Sequence, residues 1–292
     1  MKSILILSFS GTGNTQFVVD ALVKSLIEKG LSATSYPMEI LPFEKNIDGL
    51  LSADMIGIAF PVHAFNPPPL VEKIIKQLPK TILKKCFILK TSGSPFAMGG
   101  TTSRLKSILT KRNWILKHEV LVPMPSNFIV SYTPEFIKLN LEMAIKQADK
   151  IAKDLIEENW SIIPAGKLAI LLCAIMRIER IGAKFYGHYL KVGSNCIKCG
   201  KCVKNCSTRN IKFSEGKFTF GWKCTLCMRC SFGCPVQAYS HKHFGKLTMV
   251  SKPYNLLSIL NNPGLKTADI MDDKIPNIKD FRRYWFIAGV LD

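Results

Sequence analysis

Eight of the ten cysteines in this 292-residue chain fall in two runs of the same form. Cys196, Cys199, Cys202 and Cys206 are spaced by two, two and three intervening residues. Cys224, Cys227, Cys230 and Cys234 repeat that spacing, and Pro235 follows. Three thiolates two residues apart wrap one turn of chain around three corners of a cube, the ligand geometry of a 4Fe–4S cluster, and a fourth thiolate arrives from elsewhere. Such a group takes up or releases one electron readily. Zinc also uses C-x2-C pairs, but a structural zinc needs only four ligands, usually as two pairs. Two runs of four with this spacing fit zinc poorly.

The double run resembles that of clostridial-type ferredoxins, over about residues 187–242. In that family the fourth cysteine of each run serves the other cluster. The resemblance therefore implies one cluster on Cys196, Cys199, Cys202 and Cys234, and a second on Cys206, Cys224, Cys227 and Cys230. One position departs from the family: Ser207 stands where proline usually follows the cysteine. Proline would fix φ and remove a donor. Serine keeps an N–H and adds a hydroxyl near the sulfurs, and hydrogen bonds to cluster sulfur are expected to raise its potential.

The other end of the chain carries a second constellation. Residues 2–9 form an apolar run that reads as a buried parallel strand. It breaks into Ser10-Gly11-Thr12-Gly13-Asn14-Thr15, and an amphipathic stretch follows from about Gln16 to Lys29. Backbone N–H groups at a helix N-terminus with hydroxyls close by make a phosphate site. The loop lacks the Gly-Lys-Ser/Thr ending of a nucleotide-triphosphate loop and the third glycine of the dinucleotide fingerprint. It matches at every defined position the flavodoxin phosphate loop Ser/Thr-x-Thr-Gly-x-Thr, and so resembles a site for the FMN phosphate.

Two further segments fit flavodoxin topology. Residues 54–60 read as the third strand and lead into a loop from Pro61 through His63, Phe65 and Asn66 to three prolines. Residues 85–90 read as the fourth strand and lead into Thr91, Ser92, Gly93, Phe96 and Gly100. Ligands of doubly wound sheets sit outside the carboxyl ends of the strands. The resemblance implies that these loops clasp the isoalloxazine ring, with Phe65 and Phe96 as its aromatic faces and backbone near Asn66 and Gly93 at its edge. His63 is expected to be solvated, as loop histidines usually are, unless it tunes a proton at the flavin. The first ring loop has no glycine and three successive prolines, so the peptide flip of many flavodoxins is expected to be hindered, with Asn66 the residue best suited to φ > 0. The whole chain is similar to flavodoxin–ferredoxin fusion proteins of anaerobic bacteria and archaea.

Four regions position these residues. Residues 1–159 read as an α/β flavodoxin-like doubly wound parallel sheet ending in a helix from about Pro134 to Glu158, with Thr133 as N-cap. Residues 160–186 read as a linker with an apolar, basic-flanked helix. Its apolar core of eleven residues is too short to span a bilayer. It is expected to pack on one or both domains, a membrane-surface anchor being the alternative. Residues 187–242 form the small α+β cysteine-rich domain, and 243–292 an extension of unknown role with apolar segments expected to dock back. The opening apolar run is too short for a signal peptide. Ten cysteines then point to metal ligation in a reducing cytoplasm rather than to disulfides.

The formal net charge is +19. Two clusters and an FMN phosphate would lower it by roughly 6. No nucleic-acid motif accompanies the charge, so no nucleic acid is expected. An acidic redox carrier such as a ferredoxin, or an anionic membrane surface, is the partner such a charge suits. The expected function is electron transfer between a low-potential one-electron donor, two 4Fe–4S clusters and FMN, with reduction of a small acceptor. Two other readings are a non-catalytic carrier wiring a larger complex and an iron–sulfur sensor with a degenerate flavin site. No nicotinamide-binding unit or catalytic base is legible.

Overall fold

The computed structural model of the chain describes residues 3–41, 51–80, 83–94, 98–127, 130–243 and 253–291. Its centre is a five-stranded parallel sheet in the order 2-1-3-4-5: β1 (Ser3–Ser8), β2 (Ser32–Pro37), β3 (Met55–Pro61), β4 (Lys84–Ser92) and β5 (Trp114–Pro123). That order is the flavodoxin-like one, with its switch point between β1 and β3. The central strands β1, β3 and β4 are buried on both faces because helices cover both. Helix α1 (Asn14–Glu28) places Val18, Leu22 and Leu26 on one face beside Ile4 and Ile6. The helices α2 (Pro69–Gln77) and α3 (Ser103–Thr110) place Ile74, Ile75, Leu105 and Leu109 on the other, beside Leu7, Ile58 and Phe60. Cys86 lies wholly within that second layer, and burial pushes its thiol up to about 12. It is a small core hydrophobe.

Helix α4 (Pro134–Ile156) joins α1 on the first face. Thr133 caps it by accepting the Phe136 N–H at 3.3 Å, with Pro134 at the first turn. The other side of α4 is covered by the end of the chain. Helix α9 (Leu256–Leu260) touches it, and α10 (Ile278–Ile287) lays Ile278, Phe281 and Trp285 on Phe136, Leu139 and Met143.

A charged cluster lies inside the sheet domain. Lys90 and Glu119 are both fully buried and paired at 2.6 Å, while Thr102 donates to the same carboxylate at 2.5 Å and Lys106 pairs with it at 2.5 Å. Burial works to raise the Glu119 pKa, but Lys90, Lys106 and Thr102 outweigh it and hold the carboxyl below its ordinary value. Lys90→Met removes one cation from a buried carboxylate, a change expected to cost about 3 kcal/mol. Urea unfolding should show a lower midpoint at unchanged slope. A depressed carboxylate stabilises the fold above its unfolded pKa and loses that contribution as pH falls. The variant should therefore show a shallower acid loss of stability than the parent.

Past α4, the linker forms α5 (Lys167–Ile175), one tight turn and α6 (Glu179–His188). Small residues and two arginines hold this linker to the sheet domain: Arg180 pairs with Glu72 at 2.6 Å and donates to the Pro67 carbonyl at 3.1 Å. A Cβ added at Gly100 would stand 2.4 Å from the Ala169 carbonyl and 2.9 Å from Cys173 Sγ, and one at Gly187 would stand 2.0 Å from Cys224 Cβ. The large apolar residues of α5 and α6 face outward. The apolar helix expected to pack on one or both domains touches them along one edge only.

The cysteine-rich region is built twice. Antiparallel pairs β6 (Leu190–Val192) with β9 (Tyr239–His241), and β7 (Ile211–Ser214) with β8 (Lys217–Phe220), enclose two one-turn helices, α7 (Lys201–Lys204) and α8 (Arg229–Phe232). Left-handed residues recur at matching positions of the two halves: Lys198 and Leu226, Gly200 and Met228, Arg209 and Gln237. The chain reverses around each cysteine run by the same series of turns.

Candidate functional site

A cavity of about 780 Å³ opens at the carboxyl ends of β1, β3, β4 and β5. Its floor is the loop after β1. Ser10, Gly11, Thr12, Asn14 and Thr15 line it, and Gly13 sits just behind with φ 104° as the left-handed residue that starts α1. Ser10 Oγ accepts the Gly13 N–H at 3.2 Å, and Thr15 Oγ1 meets Thr91 Oγ1 at 2.7 Å. The loop is thus held open with its hydroxyls and amides at a helix start, and no basic side chain lies within it.

Pro61 and Thr91, Ser92 and Gly93 line the same cavity from the ends of β3 and β4. Phe65, Asn66 and Gly100 are not among its lining residues, and Phe96 lies outside the described residues. Asn66 is buried and turned toward the linker instead. Its amide donates to the carbonyls of Ala64 and Cys173, both at 2.8 Å, and its Oδ1 accepts from Arg177 Nε at 3.3 Å. The positive φ in this loop falls on Ala64 (47°) and Phe65 (58°), closed by paired His63–Asn66 backbone bonds of 2.9 Å. Two left-handed residues in a row make a tight reversal, and two non-glycine residues there carry strain that the Asn66 anchors hold in place.

His63 is half-buried rather than fully solvated. Its ring lines the cavity, Nδ1 is shielded from water with no hydrogen-bond partner, and burial lowers its pKa to about 4 against a hydrogen bond to the Thr225 backbone. The imidazole is neutral at pH 7.

The fourth wall went unread in the sequence. After β5, Pro125, Ser126 and Asn127 line the cavity, and Asn127 Nδ2 donates to Thr12 Oγ1. Tyr254, from the C-terminal extension, donates to Asn127 Oδ1 at 2.5 Å and accepts from Asn14 Nδ2 at 3.1 Å. Asn14 also donates to the Pro125 carbonyl at 2.8 Å. The extension therefore braces the loop after β1 from outside. A polar run following a strand hints at Asn127, whereas nothing local marks Tyr254.

The cysteine-rich region closes the cavity. Thr225, Cys227 and Met228 line it together with Ser207. A Cβ on Gly11 would stand 2.1 Å from the Cys227 carbonyl oxygen, so the two backbones are in direct contact. Arg229 fastens the junction. It donates to the Ser10 carbonyl at 2.5 Å, pairs with Glu39 and covers the Phe9 ring at 5.5 Å.

Behind that wall the eight cysteines surround two small cavities. One is lined by Cys196, Cys199, Cys202 and Cys234, the other by Cys206, Cys224, Cys227 and Cys230. The fourth thiol of each set comes from the opposite run. Backbone N–H groups of Lys198, Asn210 and Ala238 point at Cys196, Cys206 and Cys234 sulfurs at 3.2–3.3 Å. Burial raises the Cys224 thiol to about 11, and burial followed by the neighbouring thiols holds Cys230 well above its ordinary value. Ser207 Oγ lies 3.9 Å from Cys227 Sγ. Among the described residues no group of three or more His, Cys, Asp or Glu is arranged to hold a single metal ion.

No family model and no curated protein matches the chain. Solved structures do. Rubredoxin oxygen:oxidoreductase from the anaerobe Desulfovibrio gigas is 15% identical over 55% of this chain and 38% of its own, with a TM-score of 0.40. A flavodoxin from the domain Archaea is 13% identical over 53% of this chain and 99% of its own, at 0.36. Two-electron-reduced Megasphaera elsdenii flavodoxin is 20% identical over 51% and 98%, at 0.37. At these scores the likenesses add nothing to what the strand order already says of the fold. The chain spans about two fifths of the length of the Desulfovibrio oxidoreductase.

Proposed function

We propose that this chain is an iron–sulfur flavoprotein that passes electrons between two 4Fe–4S clusters and FMN, and from there to a small acceptor. One observation carries the reading: the loop after β1 and the Cys224–Met228 turn are two walls of one cavity, with Gly11 in backbone contact with Cys227. A flavin there exchanges one or two electrons, and a cluster one, so the pairing converts between the two kinds of transfer.

The residues fit both groups. A cubane distributes four thiolates around an inorganic core, and each cysteine cavity offers four thiols with amide donors at their sulfurs. Thiols that burial and mutual charge hold protonated become thiolates only when a cationic core takes the charge. The Cys206, Cys224, Cys227, Cys230 set is the one beside the flavin cavity, and the other set lies behind it. Ser10, Thr12 and Thr15 with the amides of α1 hold the phosphate. His63, bonded to the Thr225 backbone, bridges the ring loop and the cluster turn. Ser207 directs a hydroxyl at Cys227, which favours the reduced state of the cluster facing the flavin. The basic surface suits an acidic one-electron carrier as donor.

Protein purified without oxygen tests this. It should hold about eight irons and eight labile sulfides per chain, and one FMN. Thr12→Val with Thr15→Val removes two hydroxyls from a charged phosphate. At roughly 1.5–3 kcal/mol for each such bond, FMN affinity should fall at least about tenfold, read by flavin fluorescence titration. Undiminished binding would move the phosphate elsewhere, and stoichiometric zinc in place of iron would end the cluster assignment.

A further inference from the structure

We infer that the outward face of α5 and α6 docks on an anionic lipid bilayer. Six large apolar residues along 18 positions of chain are more than half exposed: Leu168 (70%), Leu171 (56%), Ile175 (57%), Ile178 (67%), Ile181 (55%) and Phe185 (52%). Isolated exposed apolar residues are ordinary, but a continuous run of this size marks a surface that meets something apolar. The aromatic end of the run is built as a unit. Trp222 is 47% exposed, stacks on His188 at 4.0 Å and meets the Phe185 ring edge-on at 5.0 Å. Aromatic rings with one polar edge favour the boundary between lipid and water.

Charge selects the occupant. The chain carries +19, and Glu215 is the single acidic residue between 187 and 242, a stretch with ten lysines and arginines. Lys184 of α6 and Lys223 beside Trp222 line the same cavity mouth, so the cationic rim adjoins the apolar face. A second copy would bring an equal positive charge against this one. An acidic carrier would answer the lysines, but transient redox contacts are small and largely polar, and would leave the isoleucines and leucines unanswered. A bilayer with anionic headgroups answers both. Helix α5 has nine residues, and among the described residues no helix is long and apolar enough to cross a membrane, so the segment lies in the headgroup region. Docked this way, the mouth of the flavin cavity, which α6 lines with Glu179, Arg180 and Lys184, sits at the lipid surface.

The inference stands apart from the redox reading, because binding is measured without turnover. Full-length protein with its cofactors is sedimented with vesicles of phosphatidylglycerol and phosphatidylcholine, or of phosphatidylcholine alone. The protein should pellet with the anionic vesicles, weakly with the neutral ones, and be partly released by salt. Leu171→Glu with Ile175→Glu changes two exposed positions and should reduce partitioning at least about tenfold while iron and flavin content stay constant. Lys167→Gln with Lys184→Gln should weaken binding at low salt only. Equal partitioning of the glutamate variant and the parent, or no preference for anionic vesicles, would overturn the inference. So would a parent dimer in sedimentation equilibrium that the glutamate variant dissolves, since the face would then be a self-interface.

Discussion

Cys206→Ala should stop electron delivery to the flavin, and Cys234→Ala should largely spare it. In chain order Cys206 belongs to the first run and Cys234 to the second, so a reading by sequence proximity gives the reverse. The cavities cross the runs: Cys206 joins Cys224, Cys227 and Cys230, and that set lies beside Gly11. Each variant should lose about four of about eight irons. They should differ in the rate at which a small neutral reductant reduces the flavin. Without Cys206 the thiols next to the loop after β1 are incomplete, and the cluster proposed for the other set lies behind them. Without Cys234 the near set is whole, and a small donor reaches it directly. Rapid flavin reduction in Cys206→Ala together with its loss in Cys234→Ala would show that the runs are not crossed. Loss of all iron in both would show that the two halves, which share matching turns, fold only together.

The parts of this site that were legible in the sequence are those whose chemistry is local. The cysteine spacing, the Ser10–Thr15 loop and the Thr133–Pro134 helix start each depend on residues close in the chain; the structure starts a helix after the loop and at Thr133, and gathers the cysteines into two sets of four. Strands β2 and β5 and helices α2 and α3 went unread. Their burial is mixed: β2 alternates between exposed and half-buried residues, and α2 carries Glu72 and Lys73 among its apolar positions. The ring loop misled for a different reason. Glycine or asparagine normally marks a left-handed turn, and here Ala64 and Phe65 adopt it because Asn66 is tied to the linker. What no local pattern can encode is the meeting of distant segments. The Gly11–Cys227 contact, the reach of Arg229 to Ser10 and the bracing of Asn14 by Tyr254 each join residues more than 200 positions apart. Packing of the completed domains decides them, and they make one cavity out of two motifs.

Gly11→Ala should separate the two halves of the site without destroying either. The added methyl would fall 2.1 Å from the Cys227 carbonyl oxygen and 3.0 Å from its carbon, and both are backbone atoms with no rotamer to yield. The loop after β1 is pinned by Ser10 and Thr15, so the cysteine-rich region is the part that gives way. The clash falls on the Cys227 backbone, but that turn is tied to its neighbours by the region's own ladders and helix, so the region should shift as a body and iron content should stay near eight. FMN should still bind, more weakly, because the lower walls remain and the upper one has shifted. Intramolecular electron transfer should fall far more than either, since it depends directly on the separation that the methyl enlarges. Flash reduction of the clusters, followed at the flavin absorption band, reads that step. Gly182→Ala is the control: nothing lies within 4 Å of its added Cβ, and it sits inside α6. That change should leave electron transfer untouched and add about 0.5–1 kcal/mol of stability, the usual gain of alanine over glycine within a helix. Transfer at the parent rate in Gly11→Ala would mean that the Cys227 turn does not rest on this loop. The cavity would then belong to the sheet domain alone, and the clusters would need another route to their acceptor.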